Sequence, residues 1–371
     1  MSLRLSALAV VLCTGCMAGS VDEPHTGNVR QLVGGPDDGT CDEFMCGTNS
    51  PQIAEFGFWE LNLPEKLGSA GLPNNVGMQL IGFLQEGKLY LPAVSGGRLT
   101  ATRDTITLAG DELVGGGLYL TNGKRSFLLK ITEVGSVDSW AQSSSGLPVM
   151  LESYKLDWTE LLNGGETEFH NMCTRPPTRD GNDTLGMAGP LAFHTLLFEG
   201  DRIDAKRKLD TGVDPSWMNL GCAGSALAKL ALTGHTEASR NAKTFNTSLA
   251  ERQTMLKMLT ADYCGDGTPF TVPGQPLNWR DDAGTMQLTA LITQPPQPLR
   301  LEARWTEKGA ACLDSPRVDV HWTELGDKVF GADVYQQVKD HCAGSMPPPC
   351  ADGSFDLDGY HLLTATVPYH P

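Results

Sequence analysis

The sequence lacks the short motifs that identify several large enzyme classes. No HExxH, GxSxG or P-loop pattern occurs in its 371 residues, so the spacings typical of zinc proteases, α/β-hydrolases and nucleotide-phosphate sites are missing. Downstream of residue 16 no CxxC pair occurs, which removes the usual spacing of structural zinc sites and thioredoxin-like redox centres. From motifs alone we therefore predict no catalytic residue, no metal site and no cofactor.

Basic residues and long apolar runs are also scarce. The chain has 28 Lys and Arg against 44 Asp and Glu, a formal net charge of −16, whereas nucleic-acid binding relies on clustered basic side chains that neutralise phosphates. We therefore predict no nucleic-acid partner. The N-terminal apolar run at 5–12 is far shorter than the ~20 residues of a membrane-spanning helix.

The N-terminus contains the residue order of an export signal. Arg4 precedes the apolar run at 5–12, and small residues follow it up to Cys16. We predict a signal peptide at 1–15 and a folded part that works outside the cytoplasm. Cleavage by an ordinary signal peptidase and an uncleaved chain are the alternatives.

The tetrapeptide CTGC at 13–16 resembles the bacterial lipobox, in which the last cysteine is lipidated and becomes the first residue of the mature protein. Cys13 departs from that pattern, because an aliphatic residue usually occupies its position. The resemblance implies a palmitate-carrying Cys16 that anchors the chain to a membrane, and Met17 in place of Asp favours the outer membrane or cell surface. Residues 16–40 are rich in Gly, Asp, Ser, Pro and Thr, which predicts a flexible tether.

The segment 41–162 predicts an N-terminal β domain, either an antiparallel barrel or a sandwich. Its partly alternating apolar runs are separated by Gly-containing turns, and they lie at 56–63, 78–84, 88–94, 98–108, 117–121, 126–134 and 150–158. Asn122-Gly123 predicts a two-residue hairpin turn, since both residues accept positive φ angles. The polar, Gly-rich segment 163–189 predicts a linker, and a second domain follows at 190–371.

Two helices are predicted within the second domain. Asp214 as a cap, followed by proline, predicts a helix over 215–233. Ser248 and Glu251 have the capping-box spacing and predict a helix that ends near residue 264. We expect the two helices to pack as an antiparallel, disulfide-linked hairpin. Other predicted elements make the whole chain α+β and β-rich, with strands at 286–293, 299–306, 318–322 and 362–367 and a helix at 332–341.

The cysteine count predicts disulfides. Of ten cysteines, Cys13 and Cys16 belong to the N-terminal signal; the rest are even in number, as expected of an exported chain held by disulfides. The lengths of the two helices place Cys222 and Cys264 at similar heights in the hairpin. Two more pairs follow from short loops and the last by elimination, so our predicted pairs are Cys222–Cys264, Cys41–Cys46, Cys342–Cys350 and Cys173–Cys312.

Five short passages form a specific combination between residues 185 and 368. They are GD at 200–201, WMNLGCAGSALAK at 217–229, AER at 250–252, ADYCG at 261–265 and EARWT at 302–306. This set resembles the ADYC domain, an uncharacterised family of bacterial exported proteins that is numerous in myxobacteria. The tetrapeptide Ala261-Asp262-Tyr263-Cys264 gives the family its name. The resemblance implies a location and a fold but no known activity.

A few side chains are candidates for chemistry. Cys264 as a thiolate nucleophile with a histidine base needs a free, partly exposed thiol, yet it follows a helix C-terminus, whose dipole disfavours an anion. His194, His341 and His361 lie nearest to predicted elements, and each lacks a spaced partner that would mark a ligand or base. We expect Asp262 and Tyr263 to close the second helix and to pack under its disulfide.

Two acidic runs weakly resemble calcium loops, Asp352/Asp356/Asp358 and the segment 180–183. Neither has the EF-hand spacing that ends in a bidentate Glu, so we predict acidic turns.

From the sequence we expect an exported cell-envelope lipoprotein that acts as a surface binding or structural module. Its protein or glycan partner is not identified by any motif. The alternative is a secreted or periplasmic hydrolase that uses Cys264 or a histidine-carboxylate pair. A third class, a subunit that binds a partner in a larger periplasmic assembly, would require an exposed apolar patch of more than a few hundred Å².

Overall fold

The computed structural model describes residues 51–143, 146–162, 165–166, 168–173, 193–204, 206–270, 277–282, 300–314, 316 and 334–366. The predicted signal peptide at 1–15, the tether at 16–40, Cys16 and the Cys41–Cys46 pair lie outside these residues. The predicted strands at 286–293 and 318–322 lie outside them as well, and all of these stay predictions.

Antiparallel strands dominate the described chain. Those before residue 223 are β1 (Gln52–Ile53), β2 (Phe56–Gly57), β3 (Glu60–Asn62), β4 (Gln79–Gln85), β5 (Lys88–Ser95), β6 (Arg98–Arg103), β7 (Ile106–Ala109), β8 (Gly117–Thr121), β9 (Ser126–Gln142), β10 (Pro148–Leu162), β11 (Gly165–Glu166), β12 (His170–Asn171), β13 (His194–Asp204) and β14 (Leu209–Cys222). The later strands are β15 (Leu277–Asp281), β16 (Arg300–Thr306), β17 (Gly309–Leu313) and β18 (Leu362–Thr366). The helices are α1 (Ala226–Leu232), α2 (Glu237–Asn241), α3 (Leu249–Thr260) and α4 (Val334–Cys342).

The larger sheet follows the order β3-β14-β13-β10-β9-β8-β4-β5-β6-β7, with β11 and β12 added beside β10. The path of described strands is open, with β3 at one end and β7 at the other, so these strands do not form a closed barrel. One long edge of β10 pairs with β9, and the other edge pairs in turn with β13, β12 and β11. Because β10 and β13 are hydrogen-bonded neighbours, no break in the described sheet coincides with the predicted linker at 163–189.

Tight turns join the strands of the N-terminal region. Glu86 and Gly87 form the two-residue connection between β4 and β5, and both have positive φ angles, as a type I′ turn requires. The predicted hairpin at Asn122-Gly123 exists between β8 and β9, but Thr121 pairs with Ser126, so the loop has four residues instead of two. The Asn122 side chain accepts hydrogen bonds from two following backbone N–H groups, which stabilises the longer loop.

The predicted helix over 215–233 is wrong in its first half. Residues Leu209–Cys222 form β14, which pairs with β13 and β3, and the helix begins only at Ala226. Pro215 lies where the β13–β14 register shifts, so its missing N–H does not interrupt a regular ladder. The small residues there do allow close approach, because a Cβ on Gly221 would lie 2.6 Å from the backbone N of Ala228.

Helix α3 lies at the centre of the C-terminal half. It packs against β14 of the larger sheet and β16 of the smaller sheet, whose order is β15-β18-β16-β17. The helix is buried on all sides from Arg252 to Thr260, whereas Leu249 in its first turn is exposed. The core around it includes Met255, Met258 and Trp305.

The α+β, β-rich class is confirmed. Helices α1 and α3 do contact each other, as the predicted hairpin requires, but no disulfide joins them among the described cysteines. Among the described helices, none combines the length and the apolarity needed to cross a bilayer.

Candidate functional site

The described cysteines form three disulfides that differ from the predicted pairs. They are Cys173–Cys222, Cys264–Cys342 and Cys312–Cys350, so the predicted pairs Cys222–Cys264, Cys342–Cys350 and Cys173–Cys312 are wrong. The physical reason is that Cys222 ends a strand and not a helix: its neighbour across the ladder is Thr195, whose hydroxyl lies 3.0 Å from the Cys173 sulfur. The bond between Cys264 and Cys342 also removes the free thiol that a Cys264 nucleophile needs.

The tetrapeptide at 261–264 begins where α3 ends. Ala261 adopts the left-handed conformation (φ 51°) that stops the helix, and its N–H donates to carbonyls of the last turn. The Asp262 carboxylate turns back into the protein, where it pairs with the fully buried Lys257 ammonium and accepts a hydrogen bond from Gly267 N at 2.9 Å. Burial raises the pKa of Asp262, and the neighbouring Lys257 charge opposes that rise.

Tyr263 and Cys264 connect the same turn to other elements. The buried Tyr263 ring stacks on Trp305 at 5.5 Å between centroids, and its hydroxyl donates to Glu302 Oε1 at 2.8 Å. Cys264 bonds to Cys342 at the end of α4. Gly265 follows in the same turn. Only glycine fits at this position, because a Cβ there would lie 1.7 Å from the Lys308 carbonyl oxygen.

A buried ion cluster surrounds Arg252 at the start of α3. Its guanidinium lies 2.9 Å from Asp201 Oδ1 and 3.1 Å from Glu237 Oε2, and it donates to the Thr247 carbonyl at 3.0 Å. Asp210 is the fourth charged member, 3.5 Å from Arg252 Nε. Burial, and then the adjacent Asp210 charge, raise the pKa of Asp201 to about 8. This cluster joins α2, α3 and the β13–β14 hairpin.

The five passages singled out in the sequence therefore meet in one region. Arg252 contacts Asp201, and Tyr263 contacts both Glu302 and Trp305, so four of the passages touch through buried polar or aromatic contacts. The fifth, 217–229, supplies the end of β14 and most of α1, which packs on α3. Asp262 follows Ala261, the residue at which the helix ends, and its N–H donates to the Lys257 carbonyl oxygen at 3.0 Å.

The histidines named from the sequence occupy different places. His194 is buried in the larger sheet beside Ser153, with 3.0 Å between its Nδ1 and the Ser153 hydroxyl, and burial lowers its pKa. His341, partly exposed on α4, pairs through Nε2 with Asp266 Oδ2 at 2.7 Å. Cys264 is close to this pair, but its disulfide sulfur is not a thiolate ligand.

His361 belongs to a cluster of titratable side chains that contains a second histidine and two carboxylates. Its Nδ1 contacts the Asp282 carboxylate and lies 3.6 Å from Glu251 Oε1, while its Nε2 lies 3.4 Å from Nε2 of the buried His235. Thr233 offers its carbonyl oxygen to His235 Nδ1 at 2.8 Å. Burial lowers the pKa of His235 to about 4.

Sequence reasoning found His361 but missed its partners. His235 lies in the loop between α1 and α2, Glu251 in the first turn of α3, and Asp282 directly after β15. A separation of 126 residues between the histidines leaves no local spacing to recognise. The one signal available was Glu251, which the sequence assigned to the capping box and which does also accept a hydrogen bond from Ser248 N.

The acidic run near the C-terminus is engaged by an arginine. Asp352 Oδ1 accepts a hydrogen bond from Arg304 Nη2 at 2.9 Å, and this bond lowers the pKa of Asp352 to about 2. The Asp356 carbonyl oxygen accepts from Arg304 Nε. The Arg304 guanidinium therefore already places a positive charge at this turn. The other acidic run, 180–183, lies outside the described residues.

Comparison with known proteins gives one match. A sequence model of the ADYC domain matches residues 110–319, which starts earlier and ends earlier than the resemblance over 185–368. The matched region includes the Arg252 cluster and the tetrapeptide at 261–264 but stops before α4. No curated protein and no solved structure matches the chain.

Proposed function

Because this chain belongs to the ADYC domain family, we propose that it is an exported lipoprotein of the cell envelope whose folded part serves as a surface binding or structural module. Cys16 carries the lipid, residues 16–40 form the tether, and the outer membrane or cell surface is the location. The acyl chains anchor the chain to its membrane.

The pairing of the described cysteines is the observation that carries this proposal. All six of them are bonded in pairs with Cα–Cα distances of 4.9–5.5 Å, within the range of ordinary protein disulfides. Structural disulfides persist in oxidising compartments and are rare in the cytosol. A chain that depends on them and begins with the residue order of an export signal fits a place outside the cytoplasm.

Mass spectrometry of the native protein, digested with and without reduction, tests the proposal. We expect an N-terminal peptide that starts at Cys16 and carries acyl chains, and three cross-linked peptide pairs that separate on reduction. An N-terminus without acyl chains would contradict the anchor. Alkylatable thiols at the paired cysteines of the untreated protein would contradict the oxidising location.

A matched pair of substitutions tests the anchor independently. Cys16→Ser removes the acylated thiol, so we expect the protein to leave the membrane fraction. Cys13→Ser keeps the acceptor and changes only the residue that departs from the lipobox, so we expect the membrane fraction to retain it. If the Cys16→Ser variant stays in the membrane fraction as the Cys13→Ser variant does, the lipid is not attached at Cys16.

A further inference from the structure

The protonation pattern of His235 follows from its backbone partner. A carbonyl oxygen only accepts hydrogen bonds, so the 2.8 Å contact with the Thr233 oxygen requires the proton of a neutral His235 ring to sit on Nδ1. Its Nε2 then presents a lone pair. His235 is 1 % exposed, which disfavours the doubly protonated ring.

The same reasoning applies to His361. Its Nδ1 faces the Asp282 carboxylate, with Glu251 Oε1 3.6 Å away, and a carboxylate accepts the hydrogen bond. A neutral His361 therefore also has its lone pair on Nε2. The two Nε2 atoms face each other at 3.4 Å, so two lone pairs converge on the same small volume.

Converging lone pairs are stabilised by a cation between them. A tetrahedral zinc ion with Zn–N distances of ~2.0–2.1 Å holds two ligand nitrogens ~3.3–3.4 Å apart, which matches the observed 3.4 Å. A metal-binding histidine usually donates its other N–H to a carboxylate or a backbone carbonyl, and here His361 has the first kind of partner and His235 the second. Imidazole nitrogen is a preferred ligand of divalent zinc, copper and nickel.

The surroundings carry the complementary charge. Glu251 and Asp282 contact His361, and the charges of Glu251 and Asp281 act on His235. Three carboxylates near two neutral imidazoles favour a divalent cation. Asp282 is half exposed, with 52 % of its side chain accessible, so this side of the cluster is open to ions from solution.

We propose that His235 and His361 bind a divalent transition-metal ion, with Zn²⁺ as the best fit, through their Nε2 atoms. Thr233 and Asp282 act as positioning residues that fix the tautomers, and Glu251 adds charge. Solvent or an external ligand completes the coordination. The ion would join the loop before α2 to the start of β18. This inference goes beyond the proposed function and does not depend on the lipid anchor.

Zinc titration of the untagged full-length protein, with disulfides intact and after chelator treatment, tests the inference. We expect one Zn²⁺ per chain by calorimetry and an upward shift of the melting temperature with zinc. X-ray absorption should show two histidine nitrogens at ~2.0–2.1 Å from the metal. His361→Gln and His235→Gln should each weaken binding by about 100-fold or more, and Asp282→Asn by about tenfold. His170→Gln, at an exposed histidine in β12, is the matched control and should bind as the wild type does.

Three results would overturn the inference. Wild-type protein without stoichiometric zinc binding would mean that the two facing Nε2 atoms do not hold the ion. Equal zinc affinity in His361→Gln and His170→Gln would place the ion elsewhere. Absorption data without histidine nitrogens would exclude these ligands. If circular dichroism shows that His235→Gln does not fold, the His361→Gln variant, at a partly exposed position, still tests the inference. The two proposals fail separately, because native protein that lacks acyl chains at Cys16 but still binds zinc would refute only the lipoprotein proposal.

Discussion

The buried pair of Lys257 and Asp262 makes Asp262→Asn a direct test of the tetrapeptide's structural role. Both side chains are 0 % exposed. The substitution keeps the shape of the side chain and an oxygen that can accept from Gly267 N, and it removes the negative charge. That oxygen, Oδ2, is also the one that pairs with Lys257. In the variant the Lys257 ammonium therefore faces only uncharged oxygens, which are this amide oxygen and the carbonyl oxygens of Arg207 at 2.8 Å and Gly265 at 3.3 Å.

The expected loss of stability follows from the partners that Lys257 keeps. Removing one member of a buried ion pair costs about 3–5 kcal/mol, because the other charge is left uncompensated. Uncharged oxygens remain around Lys257, so we expect the lower end, about 3 kcal/mol. Since a whole domain is stable by only about 5–15 kcal/mol, this loss is large. Replacing both partners leaves no buried charge uncompensated, so Lys257→Met/Asp262→Asn should cost less than Asp262→Asn alone.

Equilibrium unfolding in guanidinium chloride, followed by tryptophan fluorescence without reductant, measures these free energies. Asp104→Asn, whose side chain is 85 % exposed, is the control and should change stability by no more than about 0.5 kcal/mol. The reasoning is refuted if Asp262→Asn loses less than about 1 kcal/mol, or if the double variant is less stable than either single variant.

Three further predictions concern the same region. Tyr263→Phe removes the 2.8 Å hydrogen bond to the buried Glu302 and should lower the free energy of unfolding by about 1.5–3 kcal/mol; an unchanged denaturation midpoint would contradict this. Ser248→Ala removes the cap of α3 and should cost about 1 kcal/mol, measured in the same way; a loss-free variant would show that the cap contributes nothing. The pKa of Asp201 is raised from 3.8 to about 8, so the folded state holds this proton more tightly than the unfolded chain. Its contribution to stability is therefore full below pH 3.8 and lost as the pH rises to about 8. The stability of Asp201→Asn relative to wild type should increase across that range and then level off, and a difference independent of pH would refute the shift.

Local signals predicted local structure well. Ser248 and Glu251 predicted the start of α3 because a capping box is made by residues three apart, and the structure forms both of its hydrogen bonds. Asp214 followed by Pro215 is an equally local signal, and it failed. Residues on the partner strand β13, far from Asp214 in sequence, hold this segment extended, and the local preference for a helix start is overridden.

Predictions that depended on distant contacts fared worse. The Cys222–Cys264 pair was inferred from two helix lengths, and once residues 209–222 form a strand the geometry behind that inference disappears. The site at His235 and His361 could not be predicted from the sequence for the same reason, because its residues come from four separate segments of the chain. The passages that carry the family resemblance gave better guidance, because their side chains contact one another in the folded protein.

The order of the smaller sheet restricts when the protein can complete its fold. Strand β18, the last described element, lies between β15 and β16 and not at an edge. A chain that emerges N-terminus first cannot assemble this sheet until residues 362–366 are available, because the two strands they join do not pair with each other directly. The larger sheet, whose strands end at Cys222, is free of this delay and can form first. Until these residues have emerged, β15 and the β16–β17 pair stay separate, and we expect loss of β18 by truncation to divide the smaller sheet while leaving the strands of the larger one complete.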